Sequence, residues 1–237
     1  MGRYDEVEAA APPPVDPSLR MRAAIGAAMS RSKREIPHYY LAHEVDLGPA
    51  MSWLAAHNAS RPPSERVLPA ALLVRSVALG LQRAPELNAH FVDGRVAPQE
   101  SIHVGLAIAL RGGGLVAPRI ERTDTLSLDE LMVAMTDLVT RARRGGLRAS
   151  EMTGATITIT SLGDRGVDLV VPAITPPQVA VLGIGTITER PRVVEGQVVP
   201  RPVVTISLAA DHRVSDGHAG ARFLHHVATL LMTPEKL

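Results

Sequence analysis

A chain of 237 residues is long enough to bury a substantial core, and its 46% hydrophobic and 21% charged content is that of an ordinary globular protein. A formal net charge of +1 gives no electrostatic case for nucleic acid or an anionic membrane, and the lack of cysteine excludes disulfides, thiolate nucleophiles and cysteine–zinc sites. No apolar run reaches the roughly 20 residues that span a bilayer and the start lacks a basic-then-apolar signal pattern, so the cytoplasm or an organelle matrix is the expected location.

Residues 1 to 17 carry Tyr4-Asp5-Glu6-Val7-Glu8 and then Ala9-Ala10-Ala11-Pro12-Pro13-Pro14, a composition that cannot bury a core. It predicts a disordered, linker-like tail ahead of one domain over residues 18–237. Good helix formers, with Ile25 and Met29 four apart, predict a helix to about Ser32, and Pro37 closes that stretch. Tyr39 to Leu47 alternates as a strand does. Pro69 ahead of Leu72, Leu73, Val77 and Leu81 predicts a second helix. Asp93-Gly94, between Phe91-Val92 and Arg95-Val96, is a strong hairpin signal.

Two apolar runs, 102–110 and 115–120, flank Arg111-Gly112-Gly113-Gly114 and predict two strands joined by a tight loop. The glycine run lacks the spacing of a phosphate-binding loop. Ser127 and Glu130 form a capping box for a helix through about Arg144, which Gly145-Gly146 ends; Met132 and Met135 fall on its core side. From 155 to 161 the residues alternate, with Ala155, Ile157 and Ile159 on one face and Thr156, Thr158 and Thr160 on the other, predicting a core face and a solvated row of hydroxyls. Further strands are expected at 179–187, 192–194, 198–199 and 203–209, with Glu195-Gly196 as a turn. A last amphipathic helix carries Phe223, Val227, Leu230 and Leu231. The sum is a mixed β-sheet with helices packed on it, of the α/β (α+β) class.

Asp211-His212-Arg213-Val214-Ser215-Asp216-Gly217 falls where the last strand gives way to the last helix. Histidine suits proton transfer near neutral pH, and a nearby carboxylate can fix its tautomer and orientation. Two readings stand side by side: a general base with an orienting aspartate, or an N-cap at Asp216 beside a loop histidine. A metal site is not expected, because Asp211, His212, Asp216 and His218 lie too close in sequence for all to face one ion.

The segment, continued by Ala221-Arg222-Phe223-Leu224, resembles the active-site signature of the dihydrolipoamide acyltransferases, the core components of 2-oxo acid dehydrogenase complexes. Five further segments follow the same family in order: Ile36-Pro37-His38-Tyr39-Tyr40-Leu41, Pro85-Glu86-Leu87-Asn88-Ala89, Gly114-Leu115-Val116-Ala117-Pro118, Thr158-Ile159-Thr160-Ser161-Leu162-Gly163 and Pro176-Pro177-Gln178. The resemblance covers about Arg20 to Leu237.

It implies the chloramphenicol acetyltransferase-like fold and acyl transfer between the thiols of dihydrolipoamide and coenzyme A. By resemblance His212 is the base, Thr160 the hydroxyl that stabilises the oxyanion, and Asp216 an orienter of the loop through an arginine, with Arg213 the nearest candidate. His38 reads as a satisfied histidine and His226 as packing. The family also implies a homotrimer whose site lies between subunits, with assembly to hollow cores of twenty-four or sixty subunits left open. Its lipoyl domain, expected to be absent because Lys33 and Lys236 are the only lysines, would act in cis or in trans. The decarboxylase and dihydrolipoamide dehydrogenase components would be its partners. Two alternatives are an acyltransferase of the same fold using an amine or alcohol acceptor, and a core that only scaffolds partners.

Overall fold

The computed structural model describes residues 17–110 and 114–237. The tail expected over residues 1–17 falls, but for Pro17, outside that range, as does most of the Arg111–Gly114 loop. In chain order the elements are α1 (Pro17–Glu35), β1 (His38–Asp46), α2 (Gly48–Asn58), α3 (Pro69–Leu81), β2 (Ala89–Val92) and β3 (Arg95–Pro98). Then come β4 (Val104–Leu106), β5 (Ile108–Ala109), β6 (Leu115–Val116), β7 (Arg119–Ile120), α4 (Leu128–Arg144), β8 (Ile157–Ser161), β9 (Ala180–Ile184), β10 (Thr188–Val194), β11 (Gln197–Asp211) and α5 (Gly217–Met232). Among the described residues no helix is long and apolar enough to cross a membrane.

β11 organises the sheet. Its first half pairs with β10, and its second half lies between β1 and β9, so that the main order runs β1-β11-β9-β8-β4-β7. The β4–β8 and β8–β9 pairs are parallel and the others antiparallel, the mixed sheet expected from the sequence. Two short strands were expected where β11 runs unbroken for 15 residues. Pro200 and Pro202 suggest a break, but Pro200 lies where β11 has β10 as its one neighbour among the described residues, and a sheet tolerates proline at such an edge.

Local chemistry accounts for most other elements. Ser127 and Glu130 close the capping box of α4, and Gly145 ends that helix at φ 76°. Asp93 and Gly94 both take positive φ, the backbone that a two-residue hairpin between β2 and β3 requires. The runs 102–110 and 115–120 divide further than expected: β4 and β7 belong to the large sheet, whereas β5 and β6 form a ribbon of their own. Helix α2 has no predicted counterpart. Its N-cap, Leu47, offers no side-chain hydrogen bond, so the usual polar start signal is missing, although Pro49 sits in its first turn.

The core fills the space between the sheet and α3, α4 and α5. Phe223, Val227 and Leu231 of α5 are buried with Leu72, Val77 and Leu81 of α3 and with Leu182, Ile206 and Leu208 of the sheet. α3 and α5 approach closely because residue 80 is glycine: a Cβ there would lie 2.9 Å from Val227 and 3.0 Å from Phe223. This packing presses α5 against β1 and β11 and thereby fixes the corner between β11 and α5. Truncating Phe223 to alanine is expected to cost about 3–5 kcal/mol of stability in urea unfolding. Val133→Ala, on the 71% exposed face of α4, should change it by no more than about 0.5 kcal/mol.

Candidate active site

The corner begins at Asp211, the last residue of β11, whose side chain is fully buried. A buried carboxylate needs a cation and several donors, and Arg213 supplies them. Its Nε lies 2.9 and 3.1 Å from the two carboxylate oxygens, its Nη2 2.6 Å from one, and its backbone N–H donates at 2.9 Å. The guanidinium also lies 3.9 Å above the Phe91 ring, a cation–π contact that ties the corner to β2. Backbone N–H groups of Val214 and Ser215 donate to the Asp211 carbonyl and complete a tight turn.

His212 is held inside that turn. Its N–H donates to the Pro37 carbonyl at 2.9 Å, and its ring stands edge-on to Tyr39 at 5.3 Å. The Tyr39 hydroxyl lies 2.8 Å from Ser215 Oγ, and burial pushes its pKa up, so it stays protonated at neutral pH. His212 opens with Ser215, Asp216, His218, Glu86 and Arg222 onto a cleft of about 390 Å³.

Asp216 does not pair with Arg213, contrary to the sequence expectation. It is the N-cap of α5 and accepts a 2.9 Å hydrogen bond from the Ala219 N–H, which is the main cause of its lowered pKa. The reason is burial: Asp211 has no water to stabilise its charge and takes the arginine, whereas the exposed Asp216 is satisfied by helix N–H groups. The sequence carries a signal for the pair that was missed, an aspartate ending an apolar strand with an arginine two residues on. The contact between Tyr39 and Ser215 has no signal in the sequence, since the β1–β11 pairing brings the two together.

Thr160 lies elsewhere on the sheet. The expected row of solvated hydroxyls is not seen: Thr156 is buried against the backbone of His103, and Thr158 is buried and donates to Gln178 Oε1 at 2.9 Å. Thr160 alone of the three is half-buried and has no side-chain hydrogen bond among the described residues. Its side of β8 faces a cavity of about 640 Å³, lined by Met29, Val170, Pro172, Gln178 and Val181 among others. Ser161 points away, its hydroxyl accepting from the Gly163 N–H.

One chain does not bring His212 and Thr160 together. Thr160 pairs with Gly183, which pairs with Ser207, and His212 lies five residues beyond Ser207. That offset along a strand, with two strand spacings across, separates them by roughly 20 Å. The 390 and 640 Å³ cavities share no lining residue. His38 has both ring nitrogens engaged, with the Ile36 carbonyl and the Ile174 N–H, and is spent on structure, as expected. His226 is half-buried on α5, and burial lowers its pKa.

The mixed sheet and its packed helices define the chloramphenicol acetyltransferase-like class of fold. A chloramphenicol acetyltransferase superposes with a TM-score of 0.57 at 18% identity, over 86% of this chain and 94% of that one. Within that class the chain belongs to the family described as 2-oxoacid dehydrogenases acyltransferase (catalytic domain), whose family model matches residues 13–237. A dihydrolipoyllysine-residue acetyltransferase component of the pyruvate dehydrogenase complex from Staphylococcus aureus is 34% identical over 222 residues, 92% of this chain. The chain spans 51% of that relative's length. The Azotobacter vinelandii dihydrolipoamide acetyltransferase superposes with a TM-score of 0.86 at 27% identity, over 100% of this chain and 98% of that one. The cubic core of a pyruvate dehydrogenase multienzyme complex gives the same figures.

Arg213→Ala strands the Asp211 carboxylate in the interior and is expected to cost about 3 kcal/mol in urea unfolding. Asp216→Ala removes a cap and should cost about 1 kcal/mol, while Asp216→Asn, an equally good cap, should change stability by only a few tenths. A larger loss for Asp216→Ala than for Arg213→Ala would reverse the roles assigned to the two carboxylates.

Proposed function

We propose that residues 18–237 form a catalytic domain that moves an acyl group between the thiols of dihydrolipoamide and coenzyme A, as part of a 2-oxo acid dehydrogenase complex. The observation that carries this reading is the division of the polar groups: His212 and Thr160 each open onto a cavity, and within one chain each cavity lacks the other's group. A trimer that set one chain's His212 cleft beside the next chain's Thr160 cavity would complete the site. Investigations of the catalytic mechanism of the Azotobacter vinelandii enzyme concerned a serine, a histidine and an asparagine whose chain intervals equal those from Thr160 to His212 to Asp216. Asparagine in place of Asp216 is consistent with a capping and loop-ordering role that needs no charge.

In this reading neutral His212 takes the proton from the attacking thiol, which is scarcely ionised at neutral pH. The thiolate sulfur bonds to the thioester carbonyl carbon, and the carbonyl π electrons move to oxygen. Thr160 donates a hydrogen bond to that oxyanion. Collapse re-forms the carbonyl and breaks the original carbon–sulfur bond, and the departing sulfur takes the proton back from the imidazolium. Charge changes only at the sulfur, the oxyanion and the imidazole, so fixed donors at those positions suffice. Asp216 holds the start of α5, and the Asp211–Arg213 pair holds the turn from which His212 projects.

Coenzyme A is a substrate here, and the acyl group would arrive on a lipoyl domain in cis or in trans. The decarboxylase and dihydrolipoamide dehydrogenase components would precede and follow the transfer. Assembly of trimers into a larger core is supported by the likeness to the cubic core of a pyruvate dehydrogenase complex. An amine or alcohol acceptor has less support, since the likeness to chloramphenicol acetyltransferase is one of fold.

With acetyl-, succinyl- and branched-chain acyl-CoA and free dihydrolipoamide, the wild type should transfer at least one of these groups. His212→Ala should abolish transfer, and Thr160→Ala should lower kcat by about 10²- to 10³-fold. Co-assembled His212→Ala and Thr160→Ala chains should regain activity, because random mixing in a trimer leaves about a quarter of the sites with both groups intact. A wild type inactive with every donor, or mixed trimers as inactive as their parents, would refute the shared site.

A further inference from the structure

The cavity beside Thr160 contains a second polar group, Gln178, which the mechanism above leaves unused. The residue is 8% exposed, and its Oε1 accepts the 2.9 Å hydrogen bond from Thr158. That bond engages the oxygen of the amide and leaves Nε2, a two-proton donor, without a partner among the described residues. An interior amide nitrogen with no partner costs free energy unless something else accepts from it. Gln178 lines the 640 Å³ cavity, where a bound molecule can supply that acceptor.

Three features fix the amide. The Phe91 N–H donates to the Pro177 carbonyl at 2.8 Å, and the Gln178 N–H donates to Thr175, so the backbone on either side is tied down. Thr158 is itself buried, and glycine at its β4 neighbour, residue 105, leaves room for the hydroxyl, since a Cβ there would lie 3.1 Å from it. The hydroxyl then has Oε1 as its acceptor, which sets the amide orientation. Thr158 and Thr160 lie two residues apart on one face of β8, and both line the cavity, as Gln178 does. The other polar side chains of the wall are already occupied or open to water: His90 bonds the Ala155 carbonyl, and Thr153 and Thr175 are exposed. Most of the remaining lining, including Met29 and Val181, is apolar, so a donor there acts with little competition from water.

We propose that Gln178 Nε2 is a second hydrogen-bond donor to the thioester carbonyl, acting beside Thr160, and that Thr158 is the positioning residue that aims it. The assignment rests on the reading of this cavity as the acyl-transfer site. As the carbonyl becomes an oxyanion, both bonds strengthen and no proton changes hands. Two donors converging on one developing charge lower the barrier more than they tighten ground-state binding.

Steady-state kinetics on the intact chain, with acyl-CoA and dihydrolipoamide, test the assignment. Gln178→Ala should lower kcat by roughly tenfold to a hundredfold with KM changed less than threefold. Thr158→Val should lower kcat in the same direction by a smaller factor, and the double variant should be no worse than Gln178→Ala alone. Thermal melting and sedimentation of each variant establish that it is folded and assembled. If Gln178→Ala retains wild-type kcat while Thr160→Ala loses activity, the reading of the site stands and the role of Gln178 is overturned. Independent, multiplicative losses from Thr158→Val and Gln178→Ala would overturn the positioning role, and a wild type inactive with every acyl donor would remove both readings together.

Discussion

The buried Asp211–Arg213 pair is the constraint on which the candidate site depends. β11 ends on a residue with no exposure, paired with His38 of β1 on one side and donating its N–H to the Val179 carbonyl on the other. An aspartate there would carry an intolerable charge without a partner, and the one that meets it lies only two residues on. The chain has to curl to make that bond, and the curl presents His212 at its apex. A hydrophobic residue in place of Asp211 would suit the core and keep the backbone bonds of the turn, but would lose the four contacts to Arg213 that fix it further. The ion pair thus confers geometry more than stability, and Phe91 stacking on the guanidinium extends that order to the β2–β3 hairpin.

The second constraint is the length of the sheet. His212 lies at one end of β11, whereas Thr160 lies on β8, displaced along and across the strands. Because sheet register is rigid, no side-chain rotation brings the two groups into reach within one chain. In the proposed function a site assembled between chains would turn that distance into an advantage, since two long substrate arms could approach from opposite cavities and meet at the reacting carbon. It would also make chemistry conditional on assembly. The cavity beside Thr160 is mostly apolar with a few fixed polar atoms, the arrangement expected where a neutral thioester is bound and charge develops on one oxygen.

Much of this was legible in the sequence where the cause is local. The Asp93-Gly94 turn, the Ser127–Glu130 capping box, the end of α4 at Gly145 and the apolar face of α5 each follow from a few adjacent residues. Elements decided by distant contacts were not. Helix α2 starts without a polar cap, and β11 continues through two prolines because its edge position there is set by β10. The same distinction holds at the site. His212 and Thr160 stand out only by resemblance, because spacing alone equates His212 with a loop residue and Thr160 with its two neighbours. Burial separates them afterwards: Thr156 and Thr158 spend their hydroxyls inside the fold, and Thr160 does not. The partner of Arg213 was legible only in part: an aspartate that ends an apolar strand points to Asp211, but spacing alone allows Asp216 as well, and depth decides between them.

In the proposed function one chain holds half of each active site. The most direct measurement is specific activity per chain as the protein is diluted, with the oligomeric state followed at the same concentrations by sedimentation. Activity should fall in step with the loss of trimers and disappear in the monomer. A monomer that retains the full activity of the assembled protein would contradict it.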